Sequence, residues 1–562
     1  MIVGIDLGTT NSLIGAYIDG EPRLARNALG SVLTPSAVSV AADGSIIVGQ
    51  AARDRLISHP DASVAYFKRW MGSSRETALG RHHFRPEDLS ALVIRSLIQD
   101  AEATFGEKVE EAIISVPAYF GDAQRKATRT AGELAGVVVE RLVNEPTAAA
   151  LAYGLESRAD GATFMVLDLG GGTFDVSILE VFEGIMRVHA SCGDNHLGGD
   201  DFVRVLVEAC AKDLGFDPRR LPPSERAHLQ ARLEHLKHRL TSGSDASAEI
   251  VLGGESRTWS MNEDLFARLA DPLLQRVRAP IERAMRDAQL APADLQEIVL
   301  VGGASRMPML NRLAARMLGR LPLRHVGPDE AIARGACIAA GLKSRDKTLE
   351  EVVLTDVCPY TLGVEVTELD EHNRHQTGFF SPIIHRNATV PVSRMQTYSP
   401  IEPRQSIIRL EIYQGESPLV ANNVHLGSLE VPLARPGTTN RSVDVRFTYD
   451  INGMLQVEAT VAGTGKRHEL LLHNSGAALE PKQLRQRLAE LEAIKVHPRK
   501  VQENVALIAR AERIYEESLE LRAHLQPMLA RFLAMLDTQD EAIIRENRRA
   551  FSEALDRLDS DA

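Results

Sequence analysis

Along the first and longer part of the chain, short apolar runs alternate with segments in which apolar residues recur every three to four positions. The run EEAIISVP precedes GDAQRKATRTAGELAG, and LQEIVLVGG precedes SRMPMLNRLAARML. Short apolar runs of this kind are typical of strands, and apolar residues at three-to-four spacing are typical of helices. Their alternation predicts a layered α/β domain over residues 1–346.

The pattern changes after this region. The charged stretch KSRDKTLEE is followed by an apolar triplet, Val352, Val353 and Leu354, with no helical period and a proline close behind. We interpret residues 347–356 as a linker. Leaving such side chains in water is unfavourable by roughly 1.5 kcal/mol or more each, so the triplet is expected to dock on a domain. A plain spacer is the alternative.

Beyond the linker, short alternating strands such as SIIRLEIYQG replace the helical patterns, and Asn452 with Gly453 predicts a hairpin turn. Residues 357–478 are therefore predicted to form a β-sandwich. Over 479–562 apolar residues return to helical spacing, with a helix break expected at Pro527. The expected fold class is multidomain, with an α/β part, a β part and a small α part.

Composition and charge narrow the classes of function. Of the 562 residues, 44% are hydrophobic and 25% are charged, as in ordinary globular proteins. The formal net charge of −12 argues against nucleic-acid binding and suits a partner with a basic surface. No apolar run approaches about 18 residues and no leader pattern opens the chain, so we expect no membrane partner and a cytoplasmic location.

The four cysteines, Cys192, Cys210, Cys337 and Cys358, are far apart and show no C-x-x-C spacing. Neither a zinc site nor a disulfide framework is indicated, and we expect reduced, structural thiols.

One motif occurs twice. Both GIDLGTTNS and VLDLGGGTFDVS place an Asp-Leu-Gly turn between apolar runs, which predicts two strands joined by a turn with exposed backbone N–H groups. Such a turn can cradle phosphate, and the carboxylates of Asp6 and Asp168 could hold a hydrated cation. One copy alone would more often be a simple hairpin turn. The duplication favours two similar half-domains that face one ligand.

A third glycine cluster, in VGGASRMP, follows a strand and precedes a helix. Gly302, Gly303 and Arg306 are therefore candidates to bind the adenosine end of a nucleotide, although this motif alone is weak. Neither a P-loop nor a dinucleotide-binding G-x-G-x-x-G motif is present.

Taken in order, the stretches GIDLGTTNS, VPAYFGDAQRKAT, NEPTAAALAYG, DLGGGTFDVS, GDNHLGGDDF and VGGASRMP resemble the DnaK-type heat-shock chaperones of the seventy-kilodalton family. The resemblance covers most of the chain and fades in the final helices. It implies an actin-like nucleotide-binding ATPase domain, a β-sandwich that binds peptide, and a short helical lid.

The resemblance also implies ATP or ADP with Mg²⁺, and K⁺ as a further candidate ion. Lys68 is implied to orient the attacking water and to stabilise charge on the γ-phosphate, whereas without the motif it would be taken for a solvated lysine. The implied catalytic residues are Asp6, Lys68, Glu145, Thr173 and Asp175. The implied magnesium residues are Asp6, Asp168 and, through water, Glu145. The implied nucleotide-binding residues are Thr9, Thr10, Asn11, Gly170, Gly171, Gly172, Gly199, Glu234, Lys237, Thr241, Gly302, Gly303, Arg306 and Asp329.

Further residues match positions that, in the family, relay the nucleotide state to the linker or contact a co-chaperone. Pro117 and Arg125 match a pair that relays nucleotide state towards the linker, and Arg141 and Asp356 match contacts with a J-domain co-chaperone. J-domains present a basic helix, which an acidic chaperone surface would attract.

The predicted sandwich contains residues that match or neighbour the family's peptide groove, in which an extended apolar segment binds. They are Leu362, Val364, Tyr398, Ile408, Leu410 and Ile412. Core packing is the alternative, because alternating Ile and Val side chains face the interior of any sandwich.

Three differences from the family limit how far its residue roles can be applied to this chain. The hairpin SAEIVLGGESRTWSMNED is short in a region that contacts the nucleotide-exchange factor, so dependence on such a factor is uncertain. His238 and Ala304 occupy variable positions of the adenosine pocket. The final helical part is too short for the long lid of the general chaperones, which, with LDEHNRHQTGFFSPII, resembles the short-lidded HscC type.

The expected function is an ATP-driven chaperone that binds and releases apolar peptide segments. An actin-like filament protein and a small-molecule kinase of the same fold are the alternatives. A filament protein usually ends after the second nucleotide lobe, and a kinase would need a general base in the cleft and has no use for a β-module.

Overall fold

A computed structural model describes the chain in two compact units, which divide between Pro359 and Tyr360. The residues that it describes are 1–154, 161–182, 185–253, 255–323, 326–344, 349, 353–354, 356–369, 375–402, 404–434, 441–450, 453–472, 504, 507–508, 511, 521–538 and 541–560. The domain boundaries expected at 346, 356 and 478 stay predictions.

The first unit begins with a lobe built on a mixed sheet. Its strands are β1 (Ile2–Asp6), β2 (Asn11–Ile18), β3 (Glu21–Leu24), β4 (Thr34–Pro35), β5 (Ala37–Val40), β6 (Ile46–Val48), β7 (Ser63–Ala65), β8 (Thr77–Leu79), β9 (His82–Phe84), β10 (Glu111–Val116) and β11 (Val138–Asn144). Its helices are α1 (Gln50–Ser58), α2 (Pro86–Phe105), α3 (Asp122–Ala135) and α4 (Glu145–Ala152). The main sheet has the order β11, β10, β1, β2, β3, with β4 on β2. β1 runs parallel to β10 and antiparallel to β2.

A second lobe repeats this arrangement. Its strands are β12 (Thr163–Leu169), β13 (Phe174–Phe182), β14 (Ile185–Asp194), β15 (Asp245–Leu252), β16 (Glu255–Asn262), β17 (Glu297–Val301) and β18 (Val353–Leu354). Its helices are α5 (Gly199–Leu214), α6 (Pro223–Arg239), α7 (Glu263–Leu269), α8 (Asp271–Asp287), α9 (Pro308–Leu318) and α10 (Ala331–Lys343). The sheet order is β17, β12, β13, β14, β18, with β12 antiparallel to β13 and parallel to β17. Both copies of the Asp-Leu-Gly motif therefore lie in matching hairpins, as predicted.

Each lobe has its own apolar core, and a third core joins them. Helices α4 and α10 form this joining layer, and they pack so closely that their backbones are in contact. A Cβ added to Gly335 of α10 would lie 1.7 Å from the carbonyl oxygen of Ala148 of α4. A Cβ on Gly4 of β1 would lie 2.3 Å from the backbone of Ala336. Glycine at these positions lets the elements between the lobes pack closely.

Part of the predicted linker is a strand of the second lobe. The backbone of β18 pairs in parallel with β14, so that Val353 lies opposite Ile185 and Leu354 opposite Met186. A short strand β19 (Asp356–Val357) follows. The pairing agrees with the expectation that the linker docks on a domain. Val352 lies outside the described residues.

The second unit is a β-sandwich followed by helices. Its strands are β20 (Leu362–Leu369), β21 (His375–Ile384), β22 (Thr389–Val390), β23 (Val392–Tyr398), β24 (Ile407–Gln414), β25 (Val424–Pro432), β26 (Val443–Tyr449), β27 (Leu455–Val461) and β28 (Arg467–Leu472). One four-stranded sheet has the order β21, β20, β24, β25 and the other β23, β26, β27, β28. β26 and β27 pair antiparallel up to Tyr449 and Leu455, which confirms the hairpin predicted at Gly453; Asn452 lies outside the described residues.

The final helices are α11 (Arg522–Thr538) and α12 (Glu541–Ser560), which share an apolar core with Phe532 stacked on Phe551. The helix break expected at Pro527 is wrong, because Pro527 lies inside α11. Pro527 is the sixth residue of α11, so it removes one interior backbone hydrogen bond, but the helix continues past it to Thr538.

Two further sequence expectations concern the whole chain. Cys192, Cys210, Cys337 and Cys358 are all buried and make no disulfide. Within the described residues, no helix has the length and apolar character needed to span a membrane.

Candidate nucleotide site

A cleft of about 350 Å³ lies between the two lobes, and its walls include both duplicated hairpin turns. The predicted residues that line it are Asp6, Thr9, Thr10, Asn11, Lys68, Glu145, Asp168, Gly170, Gly171, Thr173, Gly199, Glu234, Lys237, Thr241, Gly302, Gly303, Arg306 and Asp329. Gly172 and Asp175 are the two predicted residues of this set that do not line it. His238 and Ala304, singled out as variable positions, also face the cleft.

The two turns are packed against each other so closely that only glycine fits. A Cβ on Gly171 would lie 1.9 Å from the hydroxyl oxygen of Thr10, and one on Gly198 would lie 2.4 Å from the nitrogen of Gly172. The N–H of Gly199, at the start of α5, donates to the carbonyl of Gly170 at 2.9 Å. The repeated glycines therefore allow the two turns and the start of α5 to pack with their backbones in contact.

Lys68 lies on the floor of the cleft and is only 3% exposed. Its Nζ donates to Oε1 of Glu145 at 2.8 Å, which places a buried ion pair where α4 begins. The solvated-lysine interpretation is excluded by this burial. A buried charge of this kind requires a partner, and Glu145 supplies it.

Three aspartates surround this pair. Asp6 closes β1 and accepts a hydrogen bond from the Ser115 hydroxyl at 2.9 Å, and Asp175 accepts one from the N–H of Tyr119 at 3.1 Å. Burial, with the neighbouring Glu145 charge, raises the pKa of Asp6 to about 7 and that of Asp175 to about 8. The same causes raise the pKa of Asp168 well above its usual range. Asp175 thus belongs to the acidic cluster although it does not face the cavity.

The acidic cluster fits a cation. Oδ2 of Asp168 and Oδ2 of Asp175 are buried and accept no hydrogen bond from any described residue. Buried carboxylate oxygens without partners are unfavourable, and a hydrated Mg²⁺ would satisfy them. Among the described residues, no three His, Cys, Asp or Glu side chains are arranged to hold a metal ion directly. The expected magnesium set of Asp6 and Asp168, with Glu145 acting through water, stays a prediction.

The third glycine cluster forms the opposite end of the cleft. Gly302 has φ of +80°, and a Cβ there would lie 2.4 Å from the carbonyl oxygen of Leu169. Arg306 is held by Asp329, with its Nη2 at 2.6 Å from Oδ2. Burial lowers the pKa of Lys237, whose Nζ donates to the carbonyl of Gly199 at 2.9 Å. This end therefore presents an oriented guanidinium, which suits a purine nucleoside.

Sequence reasoning missed several residues that connect the lobes. Arg53 pairs with Glu234 at 2.9 Å across the mouth of the cleft. Arg69, next to Lys68, reaches Asp201 of α5 at 2.6 Å. Tyr66 has the left-handed φ of 61° that is uncommon for a bulky residue, and burial, with nearby carboxylates, raises its pKa. No motif in the sequence marks these contacts, because each depends on how the lobes pack.

The residues expected to relay nucleotide state are buried beside this cluster. Pro117 follows β10, and Arg125 of α3 donates to the side chain of Asn144 at 2.7 Å, next to Glu145. Arg141 lies on β11, and its Nε is buried without a hydrogen-bond partner among the described residues. The backbone of Asp356 lies in β19. The relay and J-domain roles stay predictions.

The predicted groove residues lie on three strands of the sandwich. They are Leu362 and Val364 on β20, Tyr398 on β23, and Ile408, Leu410 and Ile412 on β24. All except Tyr398 are buried, and Ile408, at 9% exposed, is the most accessible of the buried five. The Tyr398 hydroxyl lies 3.0 Å from that of Ser381. Burial alone does not distinguish a closed groove from a sandwich core, so the groove assignment stays a prediction.

Two similar lobes with paired glycine-rich hairpins, a buried lysine and an acidic cluster between them define an ATPase of the actin-like fold. A model of the family described as "Hsp70 protein" matches residues 2–78 and 73–562. The chain belongs to the Hsp70 family, whose members are ATP-hydrolysing chaperones.

The curated relatives carry the names of chaperones. "Chaperone protein DnaK" of Thermotoga maritima is 37% identical over 98% of this chain and 93% of its own length. The protein of the same name from Deinococcus radiodurans is 36% identical over 100% of this chain and 93% of its own length. "Chaperone protein dnaK3" of Thermosynechococcus vestitus is 38% identical over 99% of this chain and 85% of its own length. The short-lidded HscC subtype stays a prediction.

Proposed function

We propose that this Hsp70 protein hydrolyses ATP in the cleft between its lobes and uses the reaction to control the binding of apolar peptide segments in its β-sandwich. The buried Lys68–Glu145 pair within an acidic cluster carries the proposal. A filament or a small-molecule kinase is not favoured, because neither would explain a sandwich that follows a docked linker.

In the proposed reaction the chain positions groups rather than forming covalent bonds. Lys68 orients the attacking water and stabilises negative charge that develops on the γ-phosphate, while Glu145 fixes the lysine. The N–H groups of the turns around Thr10 and Gly171 bind phosphate oxygens, and Thr173 contributes its hydroxyl. Phosphoryl transfer needs this positioning and charge neutralisation more than covalent help.

Mg²⁺ would be held by Asp6 and Asp168 and, through water, by Glu145. When bound, it would neutralise negative charge on the phosphate oxygens. The orphan oxygens of Asp168 and Asp175 support this assignment. Its presence would also keep these carboxylates ionised, because a nearby cation opposes the effect of burial on their pKa. K⁺ stays a prediction.

The peptide site proposed in residues 357–478 would bind an extended segment through backbone hydrogen bonds and one apolar pocket lined by Ile408. Arg141 and Asp356 are proposed contacts for a J-domain co-chaperone. Dependence on an exchange factor is left open by the short hairpin β15–β16. The cytoplasmic location stays a prediction.

ATP turnover measured with and without an unstructured, Leu-rich peptide tests the proposal. A peptide-dependent rise in turnover is expected, since peptide and nucleotide sites that are coupled must influence each other. Sedimentation with ATP serves as the control for a filament. ATP-dependent sedimentation together with turnover that peptide leaves unchanged would contradict the proposal.

A further inference from the structure

A second cavity, of about 910 Å³, lies on the second lobe between α7, α8 and α9, and it shares no lining residue with the nucleotide cleft. Along α8 the lining positions Leu274, Arg278, Ile281 and Met285 recur at helical spacing, so one face of the helix forms the wall. α8 has 17 residues and is therefore about 25 Å long. The cavity is an elongated groove between two helices, here called the α8–α9 groove.

The floor of the α8–α9 groove is apolar. Leu274 of α8 and Leu313 and Met317 of α9 line it and are half-buried, whereas Ile281 and Met285, which also line it, belong to the buried core of the second lobe. Methionine side chains are flexible and adapt to partners of different shape. An apolar floor along two helices can receive the apolar face of a third helix.

The rim of the groove is rich in arginine. Arg278 pairs with Glu282 at 2.6 Å, and Arg312 pairs with Glu263 at 2.6 Å. The side chains of Arg268, Arg286 and Arg316 also line the groove, and none of the three has a hydrogen bond or ion pair with a described residue. These three guanidinium groups are therefore available to bind carboxylates, often in bidentate geometry.

Three carboxylates, Asp264, Asp271 and Glu282, also line the groove and offset part of this charge. Because five arginines line it, the lining keeps an excess of positive side chains. The chain as a whole carries a formal charge of −12. A positive rim is thus a local reversal of the overall sign, and it would select an acidic partner.

We propose that the α8–α9 groove binds an acidic amphipathic helix of a partner protein. The apolar face of that helix would cover the floor, and its Asp and Glu side chains would pair with Arg268, Arg286 and Arg316. The length of α8 suits about 16 residues of helix. A basic helix would be repelled by the rim, and a simple polyanion would leave the floor in water.

The probe is a fluorescein-labelled peptide of about 16 residues with leucine on one helical face and glutamate on the others. Anisotropy is measured with the full chain, in excess unlabelled extended Leu-rich peptide that occupies the proposed sandwich groove. The variant combines Arg268→Glu, Arg286→Glu and Arg316→Glu. The matched control combines Arg219→Glu, Arg220→Glu and Arg232→Glu, which reverse three exposed arginines outside the groove. Circular dichroism and ATP turnover verify that both variants fold.

The groove variant should bind the peptide at least about tenfold more weakly, because three attractions to the peptide's glutamates become repulsions, whereas the control should bind within about twofold of the parent. A peptide of the same composition with its leucines scattered should also bind at least about tenfold more weakly. Equal binding of the scattered peptide, or complete displacement by inorganic polyphosphate, would overturn the proposal in favour of a plain anion patch. Equal effects of the two triple variants would overturn it as well.

Discussion

Lys68 and Glu145 are each about 5% exposed or less and lie 2.8 Å apart. Breaking such a buried pair leaves the remaining charge uncompensated, which makes each residue necessary to the other. The residue types of this pair could be taken from the motifs, but their contact could not, because the two positions are 77 residues apart. Burial in the cleft, rather than the local sequence, distinguishes Lys68 from an ordinary surface lysine.

Lys68→Ala should lower ATP turnover by roughly 10²- to 10⁴-fold while ATP still binds, because the lysine acts mainly on charge that develops in the transition state. Single-turnover hydrolysis and nucleotide binding are measured side by side. Lys212→Ala, which removes an exposed lysine of the same unit, is the control. Turnover equal to that of the control would remove Lys68 from the reaction.

The acidic cluster predicts an unusual pH dependence of stability. In the folded chain the pKa values of Asp6 and Asp175 are raised to about 7 and about 8, from 3.8. Between the lower and upper values the folded state binds more protons than the unfolded state, so the free energy of unfolding falls as pH rises. The slope is at most about 1.4 kcal/mol per pH unit for each group.

Thermal unfolding without nucleotide, followed from pH 5 to 8 on the transition that ATP shifts, should therefore show a midpoint that decreases as pH rises. Asp175→Asn should flatten the decrease, because an amide does not titrate. Mg²⁺ with ADP should flatten it too, since the cation favours the ionised carboxylates. A midpoint that rises over this range would contradict the assigned pKa shifts.

At the level of elements, the hairpins that carry the two Asp-Leu-Gly turns could be predicted in detail, since the local pattern of β-branched residues, glycine and aspartate decides them. The contacts across the cleft could not. Arg53 and Glu234 are 181 residues apart, and Arg69 and Asp201 are 132 apart. Their pairing follows from the packing of the two lobes. The helix break predicted at Pro527 was wrong for the opposite reason. The local rule that proline ends a helix did not hold there, because the residues on both sides of Pro527 form one continuous helix.

The third glycine turn offers a test of close packing. Gly302 and Gly319 both have positive φ, but a Cβ at 302 would meet backbone at 2.4 Å, whereas nothing lies within 4 Å at 319. Gly302→Ala should destabilise the ATPase unit and weaken ATP binding, while Gly319→Ala should cost only the conformational strain, about 1 kcal/mol. Calorimetry of unfolding and of nucleotide binding checks this. Equal losses in both variants would show that the close approach at Gly302 is unimportant.

A substitution on strand β24 tests whether the sandwich contains a peptide pocket. Ile408→Phe should fill the proposed pocket and weaken peptide binding, with an overpacking cost of about 1–3 kcal/mol if neighbours must move. Fluorescence anisotropy with a Leu-rich peptide is the measurement, and Leu410→Phe, on a more deeply buried position of the same strand, is the comparison. Unchanged affinity in a folded Ile408 variant would assign this residue to the core.

At the scale of the molecule, the linker is the element that would couple the nucleotide site to the sandwich. The backbone of β18 extends the sheet of the second lobe by pairing with β14. A strand that docks in one nucleotide state but not the other would let ATP alter peptide affinity, and reciprocity then requires peptide to alter nucleotide affinity. The docking site could not be read from the sequence, because an apolar triplet specifies burial but not a partner strand.

The most direct test of this coupling is ATP-triggered release of a bound fluorescent peptide from the double variant Val353→Asp with Leu354→Asp. We expect ATP binding and peptide binding each to remain nearly intact, while ATP-triggered release and peptide stimulation of hydrolysis are abolished. The control is Val138→Asp with Leu321→Asp, which places the same charges at positions 60% and 82% exposed. Release from the linker variant at the parental rate would contradict coupling through the linker and would assign it to another contact.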